Sequence, residues 1–410
     1  MSTPRRVPPA WVLSIPWASF GLVGGFIIVT LPQILAAQHV PGGHIAVAVA
    51  VITSAGFWGL PITPMLDVRF RRRTYALVFG FLAVFATAFT VSYHPSKLSI
   101  EVVMAVGFLS ISLYAASVGG WTGALVEKDQ NSKLGAWNTI FNICSGGIGV
   151  LVSGYVTQHL SPGLGAILIF VLFLMPMLAF IFIPAPAADD TLAKESFRRF
   201  TREVFSLFKR HEVLVALSML ILPSASFALT NTLGGWGKEF HTSPGLVSLL
   251  GGAGSIVAGI AGSALIPLIA KKFPLRPMYL AIGFIGAFFT LSLLLLPRGP
   301  GVYGLAFVGE NVFQAAAFST GFAIIFDVIG KGNPLAATIY AVLGNAMNLP
   351  IVYMEVVDGH GFDWNGVTGG FLVDALVSGS VCILLWVVLF KVLRVQDRRS
   401  PVNAHTVAET

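Results

Sequence analysis

The hydrophobic positions of this chain fall into long runs that are separated by short polar turns. A helix needs about 20 apolar residues to cross a bilayer, and about twelve runs reach that length. We therefore predict an all-α integral membrane protein. Its predicted membrane spans are 11–37, 44–66, 74–93, 99–126, 134–159, 163–183, 212–237, 245–270, 278–297, 302–328, 334–356 and 366–392.

Two stretches of the chain, which begin at Ala55 and Ala258, are versions of one another. Each contains an apolar span, a short basic turn and a second apolar span, which indicates a duplicated membrane unit of the kind found in many transporters. The polar stretch 184–211 lies between the sixth and seventh spans. The predicted architecture is therefore two pseudo-symmetric six-helix bundles, 1–183 and 212–395, with a linker at 184–211 and a tail at 396–410. Without a gap, the first copy matches the second at Ala55, Gly56, Gly59, Pro64, Phe70, Arg73, Leu77, Gly80 and Phe81.

Composition supports a membrane protein, because hydrophobic residues make up 55% of the chain and charged residues only 10%. The net charge of +7 could suggest nucleic acid, but the basic residues sit in turns between apolar spans. With the N-terminus inside, about 22 of the 25 Lys and Arg residues face one side of the membrane. This bias predicts a multi-pass protein of the inner (plasma) membrane with both termini in the cytoplasm, in contact with membrane lipid and not with nucleic acid.

Catalytic and metal-binding patterns are lacking in the sequence. We find no Walker loop and no Gly-x-Ser-x-Gly, and the histidines lack the spacing of paired helical ligands. Cys144 and Cys382 both lie in apolar spans, which argues against a disulfide scaffold. We expect no enzyme activity, no cofactor and no metal site.

Within the linker, one helical face is apolar and the basic residues lie mostly elsewhere. This pattern predicts an amphipathic helix on the inner leaflet, with a mobile linker as the open alternative. The apolar positions are Phe197, Phe200, Val204, Leu207 and Phe208.

The turn after the second span resembles that of the major facilitator superfamily, which reads G-x-x-x-D-R-x-G-R-R. Asp67, Arg71 and Arg72 match the acid and the basic pair, whereas Thr63 and Phe70 replace glycines and Val68 replaces a basic residue. With Pro64 and Arg73, the turn is also similar to the branch of the AmpG muropeptide permease and the acetyl-CoA transporters. The resemblance implies uptake of a bulky polar small-molecule substrate, such as an anhydro-muropeptide, by alternating access in a monomer.

Two departures keep other functions open. The segment Ser117–Ala124 carries no acid, although span four of that branch usually does, so the cavity could suit a siderophore or an acyl-CoA-like anion. The segment Ser145–Gly154 lacks the proline that drug/proton antiporters usually carry, which favours a symporter or a facilitator over an exporter. The alternatives from different classes are a multi-span acyl or lipid transferase and a transport-like sensor without flux.

In the resembling family, the turn after span two acts as a latch that helps to hold one access state. This implies a gating role for Asp67, which can pair with an arginine or face a helix N-terminus. The alternative is that the turn serves topology alone, since any inner turn collects arginines. The remaining gating candidates are Arg71, Arg72, Arg73 and, in the second copy, Arg276.

Two acids lie inside predicted spans, Glu310 in span ten and Asp374 in span twelve. An ionised carboxylate in the membrane is costly unless it is paired or faces water, and burial favours its protonated form. We therefore predict that both take part in proton coupling. The alternative for each is a structural carboxyl bonded to a neighbouring helix.

Further polar and aromatic residues in the spans are candidates for contacts with the substrate. Buried amides must find partners, which can be substrate or a neighbouring helix, and aromatic rings can stack on a solute or pack in the core. Trp236 at the outer end of span seven could also stack on a sugar or ring face, with an anchor at the membrane interface as the alternative. Pro223 and Pro350 are expected to break the hydrogen-bond ladders of spans seven and eleven. The candidates are Tyr114, Trp121, Asn142, Asn231, Asn311, Gln314 and Asn345.

Overall fold

A computed structural model describes residues 7–40, 42–68, 70–92, 97–185 and 205–392. All regular elements in these ranges are helices. The amphipathic helix predicted around 197–208 lies outside the described residues except for its last positions, and the tail 396–410 lies outside them entirely.

The first half of the chain forms six helices. Helix α1 contains a π-helical turn at Phe26–Thr30, and α6 ends as a 3-10 helix at Met175–Ile181. The bounds are α1 Ala10–Ala37, α2 Gly42–Trp58, α3 Arg72–Ser92, α4 Lys97–Gly123, α5 Asn131–His159 and α6 Pro162–Ile181.

The second half also forms six helices, two of which are interrupted. Helix α7 comprises His211–Ile221 and resumes as Leu229–Thr232 and the 3-10 helix Leu233–Phe240. Asn365 and Gly366 have non-helical dihedral angles and separate α11 from α12. The remaining bounds are α8 Pro244–Leu249 with Leu250–Gly254 (π-helical) and Ser255–Ile269, α9 Leu275–Leu293, α10 Pro300–Ile329, α11 336–364 and α12 367–386, followed by the π-helical Val387–Val392.

The helix inventory confirms the predicted all-α membrane fold. Nine regions of the described chain are long and apolar enough to cross a membrane, and the last of them, Ala336–Lys391, contains both α11 and α12. The shorter apolar helices Val47–Trp58 and His211–Ile221 belong to α2 and α7 and bring the number to twelve.

The predicted continuous span 212–237 is wrong in its middle. Helix α7 ends at Ile221, and Leu222 is extended just before Pro223, because a proline disfavours the helical conformation of the residue that precedes it. Pro350 does not have this effect, since α11 continues through it. The proline of α7 therefore interrupts a helix, whereas that of α11 is accommodated within one.

The sequence repeat is visible in the packing of equivalent glycines. Gly59, directly after α2, lies against Leu109 of α4, and a Cβ at Gly59 would be 3.0 Å from the Cδ1 atom of Leu109. Gly262 of α8 lies against the carbonyl group of Val312 in α10. Gly262 and Val312 each lie 203 positions after their counterparts, by 262 − 59 and 312 − 109. The two halves therefore use the same close contact between their second and fourth helices.

Replacing Gly262 by alanine is expected to destabilise the second half, because the added methyl group meets the Val312 carbonyl. Overpacking of this kind costs about 1–3 kcal/mol or more. A fall in the melting temperature of the purified protein in detergent would show the effect. Gly251→Ala in the same helix is the matched control, since nothing lies within 4 Å of its added methyl group. Equal melting temperatures for the two variants would contradict the assigned contact.

Two compact units are defined by the contacts within the chain, and each includes one segment from the other half. Unit 1 contains 1–126, 141–207 and 329–345, and unit 2 contains 127–140, 208–328 and 346–410. The segment that begins α11 therefore belongs with the first half, and the segment that begins α5 belongs with the second. Because α5 and α11 are the fifth helices of their halves, the exchange follows the repeat.

Unit 2 has a hydrophobic cluster formed by the end of α7, α9, α10 and α12. Trp236 is at its centre, 9% exposed, and stacks on Phe362 with ring centroids 4.9 Å apart. The alternative of an interfacial anchor at Trp236 is wrong, because Gly370 leaves room for the indole ring against α12. The other buried members are Leu229, Leu233, Phe240, Leu293, Tyr303, Ala306, Phe307, Val367 and Phe371.

Candidate functional site

In unit 1, the side chain of Asp67 binds the N-terminus of α11. The Asp67 Oδ1 atom accepts from the backbone N–H of Ala337 at 2.9 Å, and Oδ2 accepts from the N–H of Thr338 at 2.8 Å and from its hydroxyl at 2.7 Å. The first N–H groups of a helix lack partners within the helix, and the helix dipole favours an anion there. Asp67 therefore caps α11 across 270 residues of sequence.

Arg72 binds the same cluster through two of its guanidinium nitrogen atoms. Its guanidinium donates from Nε to Asp67 Oδ1 at 2.9 Å, and its Nη2 atom donates to the carbonyl oxygens of Asn333 at 3.1 Å and Pro334 at 2.7 Å. Asn333 also shapes the turn before α11, because its side-chain oxygen accepts from the N–H of Leu335. One arginine thus connects the acid after α2 with the turn before α11.

The electrostatics of Asp67 reflect two opposed effects. Its side chain is almost fully buried, and this burial raises the pKa of Asp67 above its ordinary value. The Arg72 charge and the hydrogen bonds from Thr338 and Ala337 lower the pKa and offset part of that rise. A buried carboxylate with this set of donors is a specific connection, since few other side chains could satisfy both N–H groups.

The other predicted gating residues are placed differently. Arg71 is exposed and Arg73 is half-buried, and neither takes part in the hydrogen bonds to Asp67 described here. Arg276, the repeat counterpart of Arg73, is buried in unit 2 at the start of α9. In that unit the ion pair of Lys128 with Asp327, at 3.2 Å, connects the segment before α5 to the end of α10.

In unit 2, the predicted coupling acids Glu310 and Asp374 are both buried, 0% and 3% exposed. The Thr290 hydroxyl of α9 donates to Glu310 Oε1 at 2.5 Å. The Oε2 atom of Glu310 and the Oδ1 atom of Asp374 are buried without a hydrogen-bond partner. A charge on Asp374 would act on Glu310, because the two carboxyls are close enough to interact.

Packing of α9 against α12 independently places Asp374 level with Glu310. Gly283 lies against Cys382, and a Cβ at Gly379 would be 3.5 Å from the Cβ of Ala287. The two helices are therefore antiparallel, so that higher residue numbers in α9 lie beside lower residue numbers in α12. Three residues beyond Ala287, Thr290 is level with about residue 375 of α12, next to Asp374. Since Thr290 binds Glu310, all three side chains lie at one depth.

Two further acids, Asp358 and Glu355 in α11, were not predicted. Asp358 is 0% exposed and neither of its carboxyl oxygens has a hydrogen-bond partner. The predicted span eleven ends at 356, which would place Asp358 in a turn. Helix α11 instead continues to 364, because Gly361 packs tightly against Gly369 of α12. The spacing of Glu355 and Asp358, three apart in an apolar run, is the signal that could have identified them.

Three of the predicted substrate residues lie near one another in unit 2. Asn231 of α7 donates to Glu355 Oε1 at 2.6 Å, and Gln314 of α10 donates to the Thr230 hydroxyl at 2.7 Å. Asn311 donates to the Phe307 carbonyl of its own helix at 2.8 Å. The interrupted α7 therefore presents polar groups to both α10 and α11.

The remaining predicted residues lie in unit 1. The Tyr114 hydroxyl donates to the Pro16 carbonyl at 2.7 Å, and the Trp121 indole donates to the Pro184 carbonyl at 2.8 Å. Both rings are buried. Asn142 is half-buried beside Gly21, and the Asn345 side chain donates to the Ala341 carbonyl at 2.8 Å. Substrate contact by these four residues stays a prediction.

Comparison with known families gives the class of the chain. The sequence profile of the Major Facilitator Superfamily matches residues 13–354. The chain of 410 residues therefore belongs to the Major Facilitator Superfamily, and is a multi-pass membrane protein of the transporter class that binds small molecules. No curated protein sequence matches it significantly.

Solved structures share the fold over nearly the whole chain at low sequence identity. The proton:xylose symporter XylE is 14% identical with a TM-score of 0.65, covering 94% of this chain and 96% of its own. FucP, a superfamily transporter solved in the outward conformation, is 15% identical with a TM-score of 0.67, covering 94% and 98%. The human organic anion transporter MFSD10 is 15% identical with a TM-score of 0.67, covering 92% and 98%.

Proposed function

We propose that this protein is a proton-coupled symporter that takes up a bulky polar solute, such as an anhydro-muropeptide, by alternating access. The observation that carries the coupling is Glu310, a fully buried carboxyl with one oxygen bound by Thr290 and the other without a partner. Such a group is stable in the neutral form and releases its proton when water reaches it. It can therefore change protonation with the access state.

The latch around Asp67 supports the alternating-access part of the proposal. The acid and Arg72 connect the turn after α2 to the N-terminus of α11 through bonds that involve a charged partner. These bonds exist only when the turn and α11 are together, so they stabilise one access state over the other. We place this latch at the cytoplasmic face, where the basic turns lie under the proposed orientation.

The solute is proposed to contact the polar groups of α7, α10 and α11. Asn231 and Gln314 present amides beside Glu355 and Thr230, which suits hydroxyl and amide groups of a polar solute. The proton:xylose symporter among the similar structures is described with a bound sugar analogue, which is a solute of related polarity. A monomer in the inner membrane with both termini in the cytoplasm completes the proposal.

Uptake by purified protein in proteoliposomes tests this function. Anhydro-muropeptides, siderophores and an acyl-CoA are offered as labelled solutes, each with and without an inward proton gradient. We expect an anhydro-muropeptide to accumulate only with the gradient. Accumulation of an anionic solute instead would reassign the substrate, and uptake that ignores the gradient would overturn the coupling.

A further inference from the structure

The second half of the chain contains more buried acid than a single coupling residue requires. Glu310, Asp358 and Asp374 are each at most 3% exposed, and four of their six carboxyl oxygens have no hydrogen-bond partner. Burial of an unpaired carboxylate costs several kcal/mol, so three of them together are stable only if most are neutral. Hydrogen bonds between helices therefore do not explain why these three acids are buried here.

The packing of α11 against α12 brings Asp358 to the depth of Asp374. A Cβ at Gly361 would lie 2.8 Å from the Gly369 carbonyl oxygen, so the helices touch at that point. Asp358 lies three residues before Gly361 along α11, and Asp374 lies five residues after Gly369 along α12. Both acids are therefore on the same side of the contact between the two glycines. At a rise of about 1.5 Å per residue, the two acids differ in depth by about 3 Å.

The titratable groups close to Asp358 are acids. Among the described residues, the groups whose charge would act on Asp358 are Asp374, Glu310 and Glu355. The neutral neighbours are Thr290, which binds Glu310, and Ser378, a buried hydroxyl that shares the face of Asp374 and has no hydrogen-bond partner. No cation balances these acids within that set, so neutralisation falls to protons.

Glu355 connects this buried cluster to a more open position. It lies three residues before Asp358 on the same helical face, is half-buried, and accepts a hydrogen bond from the exposed Asn231. Carboxyls at successive positions along one face can pass a proton between them. From the buried end of the cluster to its more exposed end, the order is Glu310 and Asp374, then Asp358, then Glu355.

We propose that Asp358, Glu310 and Asp374 form one shared proton-binding site inside the second half, and that Glu355 is the residue through which protons enter and leave it. The first half has no counterpart, because Gly107, Tyr155 and Val171 occupy the positions 203 residues before the three acids. This proposal rests on the proposed function only in one respect, namely that the bound protons drive solute uptake.

Infrared spectroscopy of the full chain in lipid nanodiscs, without any solute, tests the shared site. The carbonyl stretch of neutral carboxyl groups is followed as pH is raised. We expect Asp358→Asn to lower the midpoint for the two remaining acids by about one pH unit or more, because a negative neighbour is removed. Asp374→Asn is expected to give a matching shift by reciprocity. The exposed Asp363, five residues from Asp358, provides the control Asp363→Asn, which should titrate as wild type.

Midpoints in Asp358→Asn and Asp374→Asn that equal those of wild type and Asp363→Asn would overturn the shared site. If Asp358→Asn does not fold, the decision rests on Asp374→Asn and on Asp358→Glu, which keeps a carboxyl and should keep the wild-type titration. These outcomes are separate from the proposed function. If the carboxyl band titrates as expected but solute uptake ignores the gradient, the shared proton-binding site stands and the proposed proton coupling fails.

The entry role of Glu355 has its own measurement. After transfer of the protein to heavy water, the neutral carboxyl band moves as protons in the cluster are replaced by deuterons. We expect Glu355→Gln to slow this replacement by at least about tenfold, because a positioned group that transfers protons is removed. Replacement at the wild-type rate would show that protons reach Asp358 by another path.

Discussion

Glu310→Gln is expected to abolish accumulation of the solute driven by a proton gradient while exchange of solute across the membrane continues near the wild-type rate. The glutamine oxygen can still accept the hydrogen bond from Thr290, so the packing of α9 against α10 is retained. The variant cannot release a proton, and net uptake with a proton requires that release. Exchange needs only the loaded carrier, so it does not depend on the release.

The size of this effect follows from the energy in the gradient. With one proton per solute, each unit of pH difference supports about tenfold accumulation, since one unit corresponds to about 1.36 kcal/mol. The variant should exchange labelled for unlabelled solute across the membrane but show no net accumulation at any gradient. Glu239→Gln, which changes an exposed acid at the end of α7, is the control and should accumulate solute as wild type does. Gradient-driven accumulation in Glu310→Gln at the wild-type level would show that coupling lies elsewhere.

Asp67→Ala is expected to release the start of α11 and to slow uptake by about tenfold or more. The substitution removes acceptors for the Ala337 and Thr338 N–H groups and leaves Arg72 without its carboxylate. Hydrogen bonds to a charged group contribute about 1.5–3 kcal/mol each, so the state in which they form loses at least a factor of ten in population. Transport slows because the cycle must pass through that state.

Amide hydrogen exchange at Ala337 and Thr338 provides a direct measure of the latch. Both amides should exchange at least about tenfold faster in Asp67→Ala, since their partner is missing. Asp129→Asn, an exposed acid at the start of α5, is the control and should leave their protection unchanged. Unchanged exchange in Asp67→Ala would mean that other contacts hold α11, and the latch assignment would fail.

Much of the fold could be predicted because membrane spans depend on local composition. Apolar runs and basic turns give the helices and their number, and the repeat gives the two-fold division. The interruption of α7 between Ile221 and Leu229 was not predicted, because a single proline only suggests a kink and its result depends on packing. Pro350 of α11 shows the other result, an uninterrupted helix.

Single residues of the candidate site can be predicted from the sequence. Glu310 stands out because a charge within an apolar span is expensive and needs a reason, and Asp67 and Arg72 stand out through the resemblance of their turn to the superfamily motif. The partner of Asp67 could not be identified, since Thr338 is 271 residues away and nothing in its own surroundings indicates the contact. Asp358 lies beyond the predicted end of span eleven at 356, whereas helix α11 continues to 364 with Gly361 in contact with Gly369.

The pH of a lightly buffered suspension of proteoliposomes, recorded as solute is added without any imposed gradient, tests the coupling most directly. Proton-coupled uptake predicts that the medium becomes alkaline as labelled anhydro-muropeptide enters, in wild type and in Glu239→Gln but not in Glu310→Gln. Entry of the solute into wild-type liposomes with no change in external pH would contradict the account.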